Sequence, residues 1–445
     1  MAGPALVRGT DVIISGLSSR PELNGECGKV ISFEDGRYGV KIDRDGGKSE
    51  AIRLKPPNVA AREYAAGLKL DANFMPVLQR SSPGQLAWLL GEYGAAEEHA
   101  RFVEVALLFA AVLAFPDQVG YPSAWDRDGV SNCVAFLRAG GHKAILKIGA
   151  AKHLEKNAAV AERCAQVVMG LAMDEVDAAV GSTAALNAAG APAALAAAIR
   201  THLEVEGVQD AAVKALSSLS ASADSEPSAS AVFCRTAVLE QGGLEAAVLA
   251  AAAHATKPQV ALYAARVVGH LAQGSADAAK EAVRVGAVPA MVGAIRASPT
   301  DADVAAKCCT ALANLFVGGA GADADGDANA DNGSGTFNLA GGTTTTVSTQ
   351  RPSAFVAKVA EAMVLDRVPE VAVGVLQAGH SGVAGQEACE GACALLSNIA
   401  SMGQPEACRA VGAEMGLNAV LAQYPQESTQ TIARRALSAL VGSYE

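Results

Sequence analysis

Aromatic residues are scarce, at 4% of 445 positions, while 51% of the chain is hydrophobic. A large core with so few rings has to be closed by small aliphatic side chains, and alanine is very abundant. That composition suits short helices whose axes approach closely. Basic residues are outnumbered as well: 35 Lys and Arg face 46 Asp and Glu, a formal net charge of -11. A general nucleic-acid binder is not expected, because affinity for phosphate rests mainly on Lys and Arg. The nine cysteines include no C-x-x-C pair, which excludes a zinc knuckle and a thioredoxin-type motif. Cys164, Cys308, Cys309, Cys389 and Cys393 fall inside apolar helical runs, where a thiol acts as a small hydrophobe. Such usage points to a reducing compartment, the cytoplasm or the nucleus.

Long hydrophobic runs are also missing. The longest, Val105 to Phe115, is too short to span a bilayer. The opening residues, MAGPALVRGTD, have no basic-then-apolar pattern, so neither secretion nor membrane insertion is expected. Catalytic motifs are absent too. There is no H-E-x-x-H and no G-x-S-x-G, and Gly318-Gly-Ala-Gly lacks the Lys-Ser/Thr of a phosphate loop. His142 and His153 have no acid or cysteine at ligand spacing, and read as two surface histidines. No enzyme activity, cofactor or metal is expected.

What the chain does contain is repetition. From Leu239 to Phe316 it passes twice through one cycle: a glycine lead-in (Gly242-Gly243, then Gly286-Ala287-Val288-Pro289), a short apolar helix, a turn, and a longer helix. Lead-in glycines stand at 140, 190, 242, 286 and 412. The wide last interval holds two further lead-ins, near Asp366 and in the next cycle, once an insertion at 318–352 is set aside. The longer helices align as 160–172, 208–220, 260–272, 304–316, 386–400 and 431–443, giving about six units over residues 139–445. Self-similarity at roughly 40 to 50 residues marks a stacked helical solenoid, in which each unit buries its apolar face on its neighbours.

Two other regions precede the array. Residues 1–59 hold short β-rich runs (Asp11 to Ile14, Gly28 to Phe33, Arg37 to Ile42, Glu50 to Leu54) between turn dipeptides. Asp35-Gly36 is the kind of pair that closes a tight hairpin. Residues 60–138 read as an irregular helical adaptor capping the array, with Pro83 in the first turn of one helix. The insertion at 318–352, with its acidic run Asp323 to Asp331 and Thr343 to Thr346, is low-complexity and is expected to be disordered. Its Asp327-x-Asn329-x-Asp331 lacks the glycine and closing glutamate of a calcium loop.

The pattern Gly-Ala/Gly, short helix, then Ala-x-x-x-Leu-x-Asn-Leu resembles the armadillo repeat. It is clearest at Gly286 to Pro289 with Ala311 to Leu315, and again at Ala394 to Ile399. The N-terminal segment, with Leu23-Asn24-Gly25 before a Gly-x-Val strand and Gly-Arg-Tyr-x-Val after it, resembles the SH3-like barrels. The implied fold class is mostly α: a right-handed solenoid of armadillo-like repeats preceded by a small all-β barrel. In the barrel, nine basic residues through Lys55 meet eight acidic ones, so no basic face stands out. Only Phe33 and Tyr38 supply rings there, expected on the packed side.

The armadillo resemblance implies that third helices line a groove for an extended peptide, clamped by an asparagine ladder. Aligned here, the ladder position reads Gly170, Ser218, His270, Asn314, Asn398 and Ala439, so only two of six are Asn. One turn earlier stand Gln166, Lys214, Arg266, Thr310, Ala394 and Arg435. Two turns earlier come Arg163, Ala211, Tyr263, Lys307 and Gly391. Residues four and seven apart share a helix face. The stripe is therefore basic in an acidic chain, and carries no acid at these positions.

The expected function is a protein-protein interaction scaffold or adaptor. Its groove (Arg163, Gln166, Lys214, Ser218, Tyr263, Arg266, His270, Lys307, Thr310, Asn314, Asn398, Arg435) would hold an acidic or phosphorylated extended segment. The acidic run of the insertion could compete for the same stripe as an internal pseudo-ligand. The alternatives are a regulatory subunit of an enzyme complex and an RNA-associated adaptor acting through the barrel.

Overall fold

The computed structural model describes residues 11–14, 17, 19–24, 26–43, 49–55, 58–61, 74–94, 96–115, 117, 125–126, 128–152, 154–221, 229–273, 275–316, 335–338, 344–347 and 354–441. These fall into two compact units, Met1–Ala194 and Leu195–Glu445. The acidic run at 323–331 and His153 lie outside the described residues.

In the first unit, strands β1 (Asp11–Ile14), β2 (Cys27–Glu34), β3 (Arg37–Asp43), β4 (Ser49–Leu54) and β5 (Val59–Ala61) form an antiparallel sheet in the order β4-β3-β2-β1-β5. Asp35 and Gly36, between β2 and β3, both have positive φ, 50° and 69°. That backbone matches the twist of the flanking strands, as the dipeptide led us to expect. Alternate residues Tyr38, Val40 and Ile42 of β3 join Val12, Ile14, Val30 and Leu54 in one apolar cluster. The two rings part company: Tyr38 is buried, whereas Phe33 is 54% exposed, with centroids 4.5 Å apart. This corrects the expectation that both are packed: the two are direct cross-strand partners and share a face, but Tyr38 belongs to the apolar cluster and Phe33 does not. Among the described residues no ladder joins β4 to β5, the pairing that would close a barrel.

The helices of this unit are α1 (Met75–Arg80), α2 (Pro83–Tyr93), α3 (Ala100–Ala111), α4 (Gly129–Arg138), α5 (Gly141–Gly149), α6 (Ala158–Leu171), α7 (Asp174–Val180) and α8 (Ser182–Ala188). Helix α2 starts with Pro83 at its first position, after Ser82, and Ser82 and Gln85 cap each other reciprocally. Within this unit α2 packs against α5 and α3 against α6.

Helix α9 (Ala191–Thr201) runs across the unit boundary. The second unit continues with α10 (Glu206–Ser220), α11 (Ala229–Glu240), α12 (Gly243–Ala253), α13 (Pro258–Ala272), α14 (Ala276–Arg284), α15 (Ala287–Ala297) and α16 (Ala302–Asn314). After the insertion come α17 (Ala354–Leu365), α18 (Val368–Gln377), α19 (Gly382–Ser401), α20 (Pro405–Ala410), α21 (Ala413–Gln423) and α22 (Glu427–Val441). Two rows of helices result. The second helices stack in the order α12, α15, α18, α21, and the third helices in the order α10, α13, α16, α19, α22.

The lead-in glycines are the hinge of each cycle. Gly242, Gly286 and Gly412 have φ of 78°, 88° and 79°, and each is followed at once by a second helix. A left-handed residue there turns the chain sharply, and glycine adopts it without a Cβ clash. The lead-in expected near Asp366 is Arg367, φ 60°, a non-glycine held in the same conformation. Between the rows, apolar side chains fill the seam, and cysteines belong to it. Burial pushes the Cys164 and Cys309 thiols up to about 12, so they pack as neutral hydrophobes.

Inside the span expected to be disordered, the structure holds an antiparallel pair, β6 (Gly335–Asn338) with β7 (Thr344–Val347). Strand β7 runs against both α16 and α19. Among the described residues no single helix is long and apolar enough to cross a membrane.

Candidate functional site

The third helices of the second unit carry the site. Each presents to its neighbours the residues three and four apart that the sequence alignment put on one stripe. Lys214 on α10 and Arg266 on α13 converge on one ring: Lys214 Nζ lies 5.3 Å from the Tyr263 centroid and Arg266 Cζ lies 5.5 Å from it. Such distances are within cation-π range. Lys214 is half-buried and also pairs with Asp210 one turn back at 2.8 Å. Arg266 has no carboxylate partner among the described residues.

His270 links this pair to two further cations. Burial, and then the charges of Arg266 and Arg235, push its pKa down to about 3, with Lys307 adding to the effect. The imidazole is thus neutral at physiological pH, and the positive charges of Arg266, Arg235 and Lys307 all act in that direction. Arg235, on α11, was not anticipated. It sits on a first helix, outside the alignment of third helices, and its half-buried Nε has no hydrogen-bond partner. Burial lowers its pKa, and among the described residues no carboxylate pairs with it.

The ladder position does something different from clamping a peptide across the front. Asn398 Nδ2 donates to the Ala313 carbonyl at 3.2 Å, and Asn314 Nδ2 to the Gly269 carbonyl at 3.4 Å. His270 hydrogen-bonds the backbone of Ser217 and shares a 3.1 Å contact between Nδ1 and Ser220 Oγ. In every case the acceptor carbonyl belongs to the residue just before the ladder position of the preceding third helix. The side chains tie successive third helices together. Asn314 and Asn398 are buried.

Farther along the row the stripe changes character. Lys307 on α16 pairs with Glu387 on α19, a carboxylate 3% exposed. The acid comes from outside the aligned positions: the pairing joins residues eighty apart in sequence, and no local spacing reveals it. Thr310 is buried and sits against Gly391, where an added Cβ would stand 3.1 Å from Thr310 Oγ1. The absent side chain lets α19 lie close on α16. Glu390, fully buried, accepts hydrogen bonds from Gln386, Ser428 and Thr429. Ser218 and Arg435 are partly exposed on α10 and α22.

Arg163 and Gln166 belong to the first unit. On α6, Arg163 donates to Gln166 Oε1 at 2.5 Å, and Gln166 donates to Glu162 at 3.0 Å. They form a local chain of partners and carry no separate cationic feature. His142, also in the first unit, is partly buried.

No family profile matches the chain, and no curated protein matches it. Among solved structures, the chain is similar to an engineered protein at 21% identity and TM-score 0.46, covering 68% of this chain and 96% of that one. It is also similar to a designed armadillo repeat protein at 17% identity and TM-score 0.44, covering 67% and 99%. A second designed armadillo repeat protein, solved in complex with the peptide (KR)4, is similar at 16% identity and TM-score 0.45, covering 67% and 98%.

Proposed function

We propose that the chain is a non-catalytic interaction scaffold, an armadillo-like right-handed solenoid that holds an extended acidic or phosphorylated segment on the third helices α10 and α13. The observation that carries this reading is the convergence of Lys214 and Arg266 on Tyr263, with Arg235 close by and only Asp210 as a paired acid. Guanidinium forks suit carboxylate and phosphate oxygens, and desolvation strengthens the contact. An aromatic ring between two cations keeps their charged heads apart from bulk water and fixes their direction. The strand order of the N-terminal sheet supports a small SH3-like barrel acting as a cap or a second protein-binding module. The buried thiols support residence in a reducing compartment, cytoplasmic or nuclear.

The test is an array of twelve-residue peptides graded in aspartate, glutamate and phosphoserine content, probed with the whole chain. Retention is expected to rise with negative charge and to fall with added salt, since exposed charges are screened within about 8 Å at physiological ionic strength. Preference for neutral or basic peptides would remove the reading.

A further inference from the structure

The strand β7 lies across α16 and α19, the two third helices next in the row after α10 and α13. Helix α16 has α13, α15 and α19 on its other sides, and α19 has α16, α17, α18, α20, α21 and α22. The remaining side of this pair is where the extended segment sits. Helix α19 is correspondingly buried at every residue from Glu387 to Ala400, whereas α13 leaves Gln259, Leu262, Tyr263, Arg266 and His270 partly or fully open at helical spacing. A helix buried on all faces needs a cover on each.

We infer that the α16–α19 face is a docking surface for an extended chain, and that its resident occupant is the molecule's own strand Thr344–Val347, held by the β6–β7 pairing. An incoming segment that runs along the whole row must displace this strand. Charge agrees with the assignment. Residues 335–347 contain no charged side chain, and on the two helices that β7 runs against, Lys307 is paired with Glu387. The open α10–α13 face is cationic and suits an acidic segment, while the covered face suits a neutral one. A full-length ligand is thus acidic at one end and uncharged, with β propensity, at the other. The acidic run at 323–331, anticipated as the internal competitor, is not needed for this. The inference rests on the reading of the third helices as a peptide surface, and is independent of the charge preference of α10 and α13.

The test uses the whole chain with residues 335–347 replaced by a glycine-serine linker of equal length, and a fluorescein-labelled peptide of sequence 335–347 as probe. Anisotropy should show the probe binding the replaced chain and binding the intact chain more weakly by about tenfold or more, because a tethered competitor acts at roughly millimolar effective concentration. A scrambled probe should bind neither. Equal binding to both chains, no binding to the replaced chain, or equal binding of the scrambled probe overturns the proposal. Hydrogen exchange on the intact chain gives a second readout that needs no variant to fold: amides of 344–347 should exchange slowly, and exchange at the rate of a free peptide overturns it. Because the probe is uncharged, Arg266→Glu should leave its binding unchanged. Failure of the acidic-segment reading is therefore visible separately.

Discussion

Two stretches of one row of helices, α10 with α13 and α16 with α19, are built on the same repeat and present different surfaces. In the first, two partly exposed cations meet over Tyr263. In the second, the cation is matched by a buried carboxylate and an extended strand lies across the helices. The contrast shows that the repeat fixes where a side chain points, while the residue standing there decides whether the position faces a partner, a neighbouring helix or the chain's own insertion.

The largest expected effect separates the two ion pairs. Glu387→Ala deprives a lysine that is only 17% exposed of its carboxylate, and should cost about 3 kcal/mol in chemical denaturation. Asp210→Ala, whose side chain is 33% exposed opposite Lys214, should cost less than about 1 kcal/mol. Similar values for the two would erase the distinction between covered and open stretches.

A smaller pair of effects concerns the lead-ins. Gly242→Ala, ahead of the open stretch at φ 78°, should destabilise by about 1 to 2 kcal/mol. Arg367→Gly, ahead of the covered stretch at φ 60°, should stabilise by roughly 0.5 to 1 kcal/mol, the left-handed strain less the added chain entropy. The melting temperatures of the two variants should therefore move in opposite directions.

The smallest effect is a change in pH dependence. His270 has a folded pKa of about 3, below the ordinary histidine value of about 6.5 in an unfolded chain. Between these values the unfolded chain takes up the proton first, so this residue's contribution to stability is present above about pH 6.5 and is lost as pH falls toward 3. His270→Asn keeps a donor toward the Ser217 backbone and removes the titration. Stability curves of the variant should be flatter between pH 6.5 and 4; an unchanged slope would place the acid sensitivity elsewhere.

Much of the fold was legible because glycine lead-ins and apolar helical spacing are local signals. The lead-in near Asp366 was located without its residue being identified, because Arg367 gives no sign in sequence that it takes a left-handed backbone. The six long helices were legible for the same local reason. The pairing of Lys307 with Glu387, the use of Asn314 and Asn398 as ties between helices, and the seating of β7 were not. Each depends on which residues the stacking brings together across tens of positions, and the low complexity of 318–352 hides a β pair that pairing with a helix row makes visible. Of the site, helical phase puts Tyr263 and Arg266 on one face of α13, and the alignment of the third helices sets Lys214 at the matching position of α10, whereas Arg235 lies on a first helix that the alignment did not include.

Most direct for the claim that the open third-helix stretch recognises negative charge is the affinity of a labelled acidic, doubly phosphorylated twelve-residue peptide for the intact chain and for Arg266→Glu, by anisotropy at two salt concentrations. Reversing this charge should weaken binding by roughly 2 kcal/mol, about thirtyfold in Kd, and should flatten the salt dependence. Equal affinity for both chains, with equal salt dependence, would contradict it.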